Sequence, residues 1–146
     1  KRMRSKHILS LVIFSILVGM NGLFANYAFK KKVKSVCQSY RVIVDASQFE
    51  LGDDEFSMTL ESGRNNFEMF MLVGFAAAGQ AITHQIQMEK ENAYMPAIVH
   101  LNVLVPSSRG EFNTFVASCP KETAIGLANG TIESSKFMQD LKLEIQ

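Results

Sequence analysis

The chain has no tryptophan, only two cysteines and three prolines among 146 residues, and a formal net charge of only +1. Two cysteines cannot staple a disulfide-dense miniprotein, and three prolines with nine glycines exclude collagen-like or low-complexity sequence. No GxGxxG or Walker-type phosphate loop, HExxH pair or paired CxxC spacing occurs, so nucleotide and zinc chemistry have no support and no cofactor is implied. At 47% hydrophobic residues, wholesale disorder is excluded too.

The small net charge hides a division. Acids are absent from the first 34 residues, which carry Lys1, Arg2, Arg4, Lys6, Lys30, Lys31, Lys32 and Lys34 for a local charge of +8. The rest of the chain holds every acid and sums to −7. A nucleic-acid footprint needs bases gathered on a folded face. Here they bracket an apolar run and the folded part is acidic, which argues against nucleic acid as a partner.

That run, His7 to Phe29, has no formal charge. As a helix it would be about 34 Å long, enough to cross a bilayer's hydrocarbon core. It also has the order of a secretory leader: a basic start, a dense apolar stretch from Ile8 to Val18, then Gly19-Met20-Asn21-Gly22 and a small Ala25. The lysines directly after it favour retention, and Asn21 and Asn26 disfavour a stable span. Residues 1–29 are therefore expected to be a signal-anchor or a cleaved signal peptide, and 30–38 a basic linker. A single domain is expected over 39–146. Four bases on each flank leave orientation open. Cys37 and Cys119, a candidate disulfide, tip the expectation towards export into an oxidising compartment.

Alternation predicts strands over Ser39–Asp45 and Glu55–Glu61, joined as a hairpin through Leu51-Gly52-Asp53-Asp54. Asn65, with Glu68 three residues on, predicts a capped helix through Phe67, Phe70, Met71, Gly74, Phe75, Ala78 and Ile82. Ile98–Val105 and Glu111–Cys119 predict two more strands around a Pro106–Gly110 turn. Pro120 is expected at the first position of a second helix, stopped by Asn129-Gly130. In the tail, Phe137, Leu141 and Ile145 fit a helix, whereas Leu141, Leu143 and Ile145 fit a strand. The expected fold is α+β: a mainly antiparallel sheet of four to five strands in ββαββα order, with helices on one face and the N-terminal hydrophobic segment before it.

Cys119 ends a strand at the start of a helix, a position that favours a thiolate. The competing expectation for it is the bridge to Cys37. A nucleophile also needs a base, and only His84 and His100 lie outside the N-terminal segment. His100 and Asn102 share a strand face, while His84 falls on the polar part of the long helix. Asp45, Glu50, Asp53, Asp54 and Glu55 are acidic without calcium-loop spacing, so they read as a solvated turn. Asn129-Gly130-Thr131 is a formal glycosylation sequon. Phe67, Phe70, Met71 and Phe75 are a candidate apolar pocket, with core packing as the alternative.

No catalytic or metal-ligating residues are assigned. The expected function is that of an exported, membrane-tethered, non-enzymatic domain: an accessory or assembly subunit that binds a protein partner in a membrane complex. A carrier or sensor for a lipid or other small apolar ligand between helix and sheet is the alternative, followed by a thiol enzyme using Cys119.

Overall fold

Residues 23–88 and 92–146 are described by the computed structural model. The apolar run up to residue 22, and with it the choice between anchor and cleaved signal, lies outside them.

Residues 23–39 are helical (α1), so the stretch expected as a basic linker over 30–38 is regular structure instead. Ala25, Phe29, Val33 and Cys37 recur every four residues, with Val36 three after Val33. That period makes one stripe of a 3.6-residue helix, and all five are buried. The lysines fall beside the stripe. The helix ends in a Schellman motif: Val42 N donates to Cys37 O at 2.9 Å and Arg41 N to Gln38 O at 2.9 Å. Arg41 holds the left-handed position at φ 61°, where glycine is usual.

The strand expected over Ser39–Asp45 is absent. Its alternation is nevertheless physical, because Val42 and Val44 are buried and Ile43 is exposed. The segment is extended chain packed on the core without a partner strand. A 3-10 turn over Ala46–Gln48 then leads into β1 (Phe49–Leu51), which takes the expected hairpin position before β2 (Glu55–Glu61). Gln48 Nε2 fastens that turn by donating to Thr59 O at 2.8 Å.

After β2 come α2 (Phe67–Gln87), β3 (Ile98–Pro106), β4 (Phe112–Pro120), α3 (Lys121–Asn129), α4 (Ser134–Asp140) and β5 (Leu143–Ile145). Asn66, not Asn65, precedes α2, and its Oδ1 accepts from Gly63 N rather than capping the helix. Pro120 stands one place before α3, which Gly130 ends at φ 82°. The tail is both things expected of it in turn, first helix and then strand.

The fold is α+β, with a five-stranded sheet ordered β1-β2-β3-β4-β5. All neighbours are antiparallel except β2 and β3, which the α2 crossover makes parallel. Register builds the core row by row: Phe56–Val99–Cys119, Met58–Leu101–Ala117 and Leu60–Val103–Phe115. The helices cover these rows. Phe29 of α1 meets Phe56 edge-on at 4.9 Å, and Phe67 of α2 stacks on Phe115 at 4.6 Å. α2 is apolar on nearly every side because it is wedged between sheet, α1 and α3. By length and composition it passes as a membrane span, but packing in the core accounts for its apolarity. Glycines set its closest approaches. A Cβ on Gly79 would lie 2.1 Å from Ala124 O of α3.

Candidate functional site

The sheet face away from the helices is polar for a register reason. Every residue between two core positions points the other way, which aligns Glu50, Ser57, His100 and Ser118 across four strands. Thr59, Asn102, Val116 and Glu144 form the next row. His100 Nδ1 lies 2.5 Å from Ser118 Oγ, and its Nε2 is 3.1 Å from Glu55 Oε2. Nε2 makes no hydrogen bond there, because the carboxylate oxygen sits off the line of the N–H bond.

Acid, histidine and serine in this order resemble a nucleophilic relay. Ser118, however, is an exposed residue at the rim of the cleft beside Cys119, and Glu55 does not orient the imidazole. The arrangement acts as a cross-strand polar contact. A shallow depression of about 430 Å³, lined by Glu50, Leu51, Gly52, Glu55 and Ser57, adjoins it. His100 and Asn102 share the face the sequence assigned them. The pairing with Ser118 and Glu55 was not legible, because it depends on which strands become neighbours.

Cys119 and Cys37 are both buried free thiols, so the expected disulfide is corrected. Cys37 belongs to the last turns of α1, whereas Cys119 is the penultimate residue of β4, beside α3 and α4. A bridge needs Cα atoms within about 7 Å, and these elements hold the cysteines apart. Burial pushes the Cys119 thiol up to about 12, against a smaller opposing effect of its bond with the Ala124 backbone. Burial likewise raises Cys37 to about 11. Being at the start of α3 does not make Cys119 a thiolate, because desolvation outweighs it. His100 gives it no base either, since Cys119 faces the core and its neighbour Ser118 faces His100. The cleft at Cys119, about 380 Å³ between β4, α3 and α4, also presents Thr123, Asp140 and Lys142.

Met71 and Phe75 are fully buried, while Phe67 and Phe70 are partly buried and packed against the same core. Phe75 meets Phe137 at 5.3 Å, and the clefts named here are lined by other residues. Of the acidic stretch, Asp45 accepts from Ser47 Oγ at 2.9 Å, while its N–H donates to Gln48 Oε1 at 2.8 Å. Asp54 O receives Ala97 N at 2.7 Å. Those are structural duties. Asn129 of the sequon is exposed, and its Oδ1 accepts from Thr131 N and Oγ1.

Two features of α1 went unread in the sequence. Gln85, buried on α2, donates from Nε2 to Ala25 O at 2.9 Å, and its Oε1 accepts Tyr94 N at 3.0 Å. Tyr94 in turn directs its hydroxyl at Gly52 O and Glu55 O, 2.9 and 3.1 Å away, tying α1, α2 and the β1–β2 turn together. Burial, with the Asp53 charge second, raises this phenol to about 12. The other feature is a groove of about 460 Å³ between α1 and α2, lined by Tyr27, Ala28, Lys31, Lys32, Ser35, His84 and Met88. The spacing Ala25, Phe29, Val33, Cys37 was the available signal for both.

Comparisons with protein-family models, with curated proteins and with solved structures find no match.

Proposed function

We propose that this chain is a membrane-tethered, extracytoplasmic interaction domain that serves as an accessory or assembly subunit of a membrane complex and performs no chemistry itself. One observation carries the reading. The helix that takes in the last seven residues of the apolar run is part of the domain core, with Phe29, Val33 and Cys37 fully buried and Ala25 bonded to Gln85. If the part of the run before this helix stays in the bilayer, the domain is tethered close to the membrane surface. Cleavage after Ala25 would remove the carbonyl that Gln85 uses, which favours retention. The polar open face, four strands wide along the His100 row, offers donors and acceptors to a protein partner.

Alkaline carbonate washing of native membranes, followed by intact mass measurement and protease protection, tests the tether. The expected result is a membrane-retained chain that keeps residues 7–29, with its domain on the extracytoplasmic side. A soluble mature protein starting after residue 25 would overturn the tether. Crosslinking and size measurement in mild detergent test the subunit role. A discrete assembly of fixed stoichiometry is expected, and a strictly monomeric chain would refute that role.

A further inference from the structure

α1 and α2 run antiparallel. Gln85 near the end of α2 bonds Ala25 near the start of α1, while Tyr40, just past α1, lines a groove with Met69 and Val73 in the first turns of α2. The end of the domain reached from the apolar run therefore combines two helix ends. It leaves large apolar side chains in the open: Leu23 at 71% exposure, Phe24 at 59%, Tyr27 at 65% and Ile86 at 51%. Exposed side chains of this kind rimmed by lysines mark a contact surface, and here Leu23, Phe24 and Tyr27 belong to the last part of the uncharged run. Aromatic residues followed by lysines are the order of a bilayer interface, where rings sit at headgroup level and ammonium groups reach phosphate.

The α1–α2 groove begins beside these exposed residues, because Tyr27 lines it. At 1.5 Å per residue, Tyr27 is about 6 Å and Lys31 about 12 Å along α1 from Leu23, and a lysine stem reaches back towards the bilayer. Among the described residues no acid lines the groove, whereas Lys31, Lys32 and His84 do, with hydroxyls from Tyr27 and Ser35. Glu89, Lys90 and Glu91, next after Met88 in the chain, lie outside the described residues.

We infer that this groove holds the phosphate headgroup of an anionic phospholipid from the leaflet on which the domain rests. Lys31 and Lys32 supply the charge, Tyr27 and Ser35 donate hydrogen bonds, and Met88 covers the glycerol side. The inference rests on the tethered reading and adds a lipid-selective contact to it.

The test uses the full chain in nanodiscs of phosphatidylcholine, with or without phosphatidylglycerol, and its Lys31→Gln/Lys32→Gln variant. Native mass spectrometry after gentle extraction counts retained lipid, and NMR follows the His84 ring and the Lys31 side chain. The wild type is expected to retain phosphatidylglycerol over phosphatidylcholine and to shift those resonances. The variant should lose about 25-fold in apparent affinity, from about fivefold per lysine near an anionic surface. Equal retention by both proteins would overturn the inference, as would inorganic phosphate alone producing the same shifts with the same affinity. Carbonate extraction is read separately. If the chain is not membrane-bound, titration with soluble short-chain phosphatidylglycerol still decides the groove, so failure of the tether and failure of the site are distinguishable.

Discussion

Gln85 Nε2 donates a 2.9 Å hydrogen bond to the main-chain carbonyl of Ala25, 60 positions earlier in the chain. The same side chain accepts the Tyr94 amide, so one buried amide joins three segments that have no strand pairing with one another. A residue in this position is costly to bury unpaired and stabilising when fully bonded. Gln85→Met preserves its volume and leaves the Tyr94 N–H without a partner. The expected loss is about 1–3 kcal/mol, read as a lower midpoint in urea unfolding of the full chain in detergent. Exchange of the Tyr94 amide should also accelerate. An unchanged midpoint would mean that water replaces the glutamine.

Gly79 and Gly74 predict opposite tolerances along one helix. A Cβ at position 79 meets the Ala124 backbone at 2.1 Å, whereas at 74 it meets the movable Leu101 methyl at 2.8 Å. Alanine in a helix interior normally gains about 1 kcal/mol over glycine. Gly79→Ala is expected to reverse that sign and lose about 3 kcal/mol by forcing α3 away. Gly74→Ala should lie within about 1 kcal/mol of the wild type, because Leu101 can change rotamer. Thermal unfolding of the two variants makes the comparison.

The thiols set an alkaline limit. Cys37 is raised from 9.0 to about 11 and Cys119 from 9.0 to about 12 by burial. Below pH 9.0 folded and unfolded chains both hold these protons, and the contribution is fully present. Above it the unfolded chain releases them first, so stability falls as pH rises towards 11 and 12. The slope reaches at most about 1.4 kcal/mol per pH unit for each thiol. Urea midpoints between pH 8 and pH 11 should fall, with Cys37→Ala/Cys119→Ala flattening the decline. Native alkylation at pH 8 should add no label and unfolded alkylation two.

Ser118 separates binding from catalysis. Its contact with His100 at 2.5 Å is on the open face. Ser118→Ala should change stability by no more than about 0.5 kcal/mol, as surface substitutions do. A fluorophosphonate probe is expected to leave Ser118 unmodified, as read by intact mass. Stoichiometric labelling there would overturn the non-enzymatic reading.

Local physics made much of the fold legible. Phe56, Met58 and Leu60 alternate with Ser57 and Thr59, and β2 is the predicted Glu55–Glu61. Pro106 to Gly110 reads as a turn, and β3 and β4 flank it within a residue of expectation. Asn129-Gly130 reads as a helix stop because only a residue tolerant of positive φ closes it cheaply. The Ser39–Asp45 strand failed for an instructive reason. Alternation reports one-sided burial, and Val42 and Val44 satisfy it without any ladder. The lysines between Phe29 and Cys37 hid α1, since a charge run reads as solvated unless the four-residue apolar spacing beneath it is followed.

Sequence alone was enough for the α+β class and for most strands and helices beyond residue 55, because composition and periodicity are local properties, whereas the boundary it drew at residue 39 gave way to a helix over residues 23–39 that belongs to the core. Register, partners and neighbours belonged to the tertiary structure. The parallel β2–β3 pairing, the separation of Cys37 from Cys119, the His100–Ser118 contact and the Gln85–Ala25 bond all join residues far apart in the chain. Their geometry follows from how the helices pack over one sheet face, which no single segment encodes.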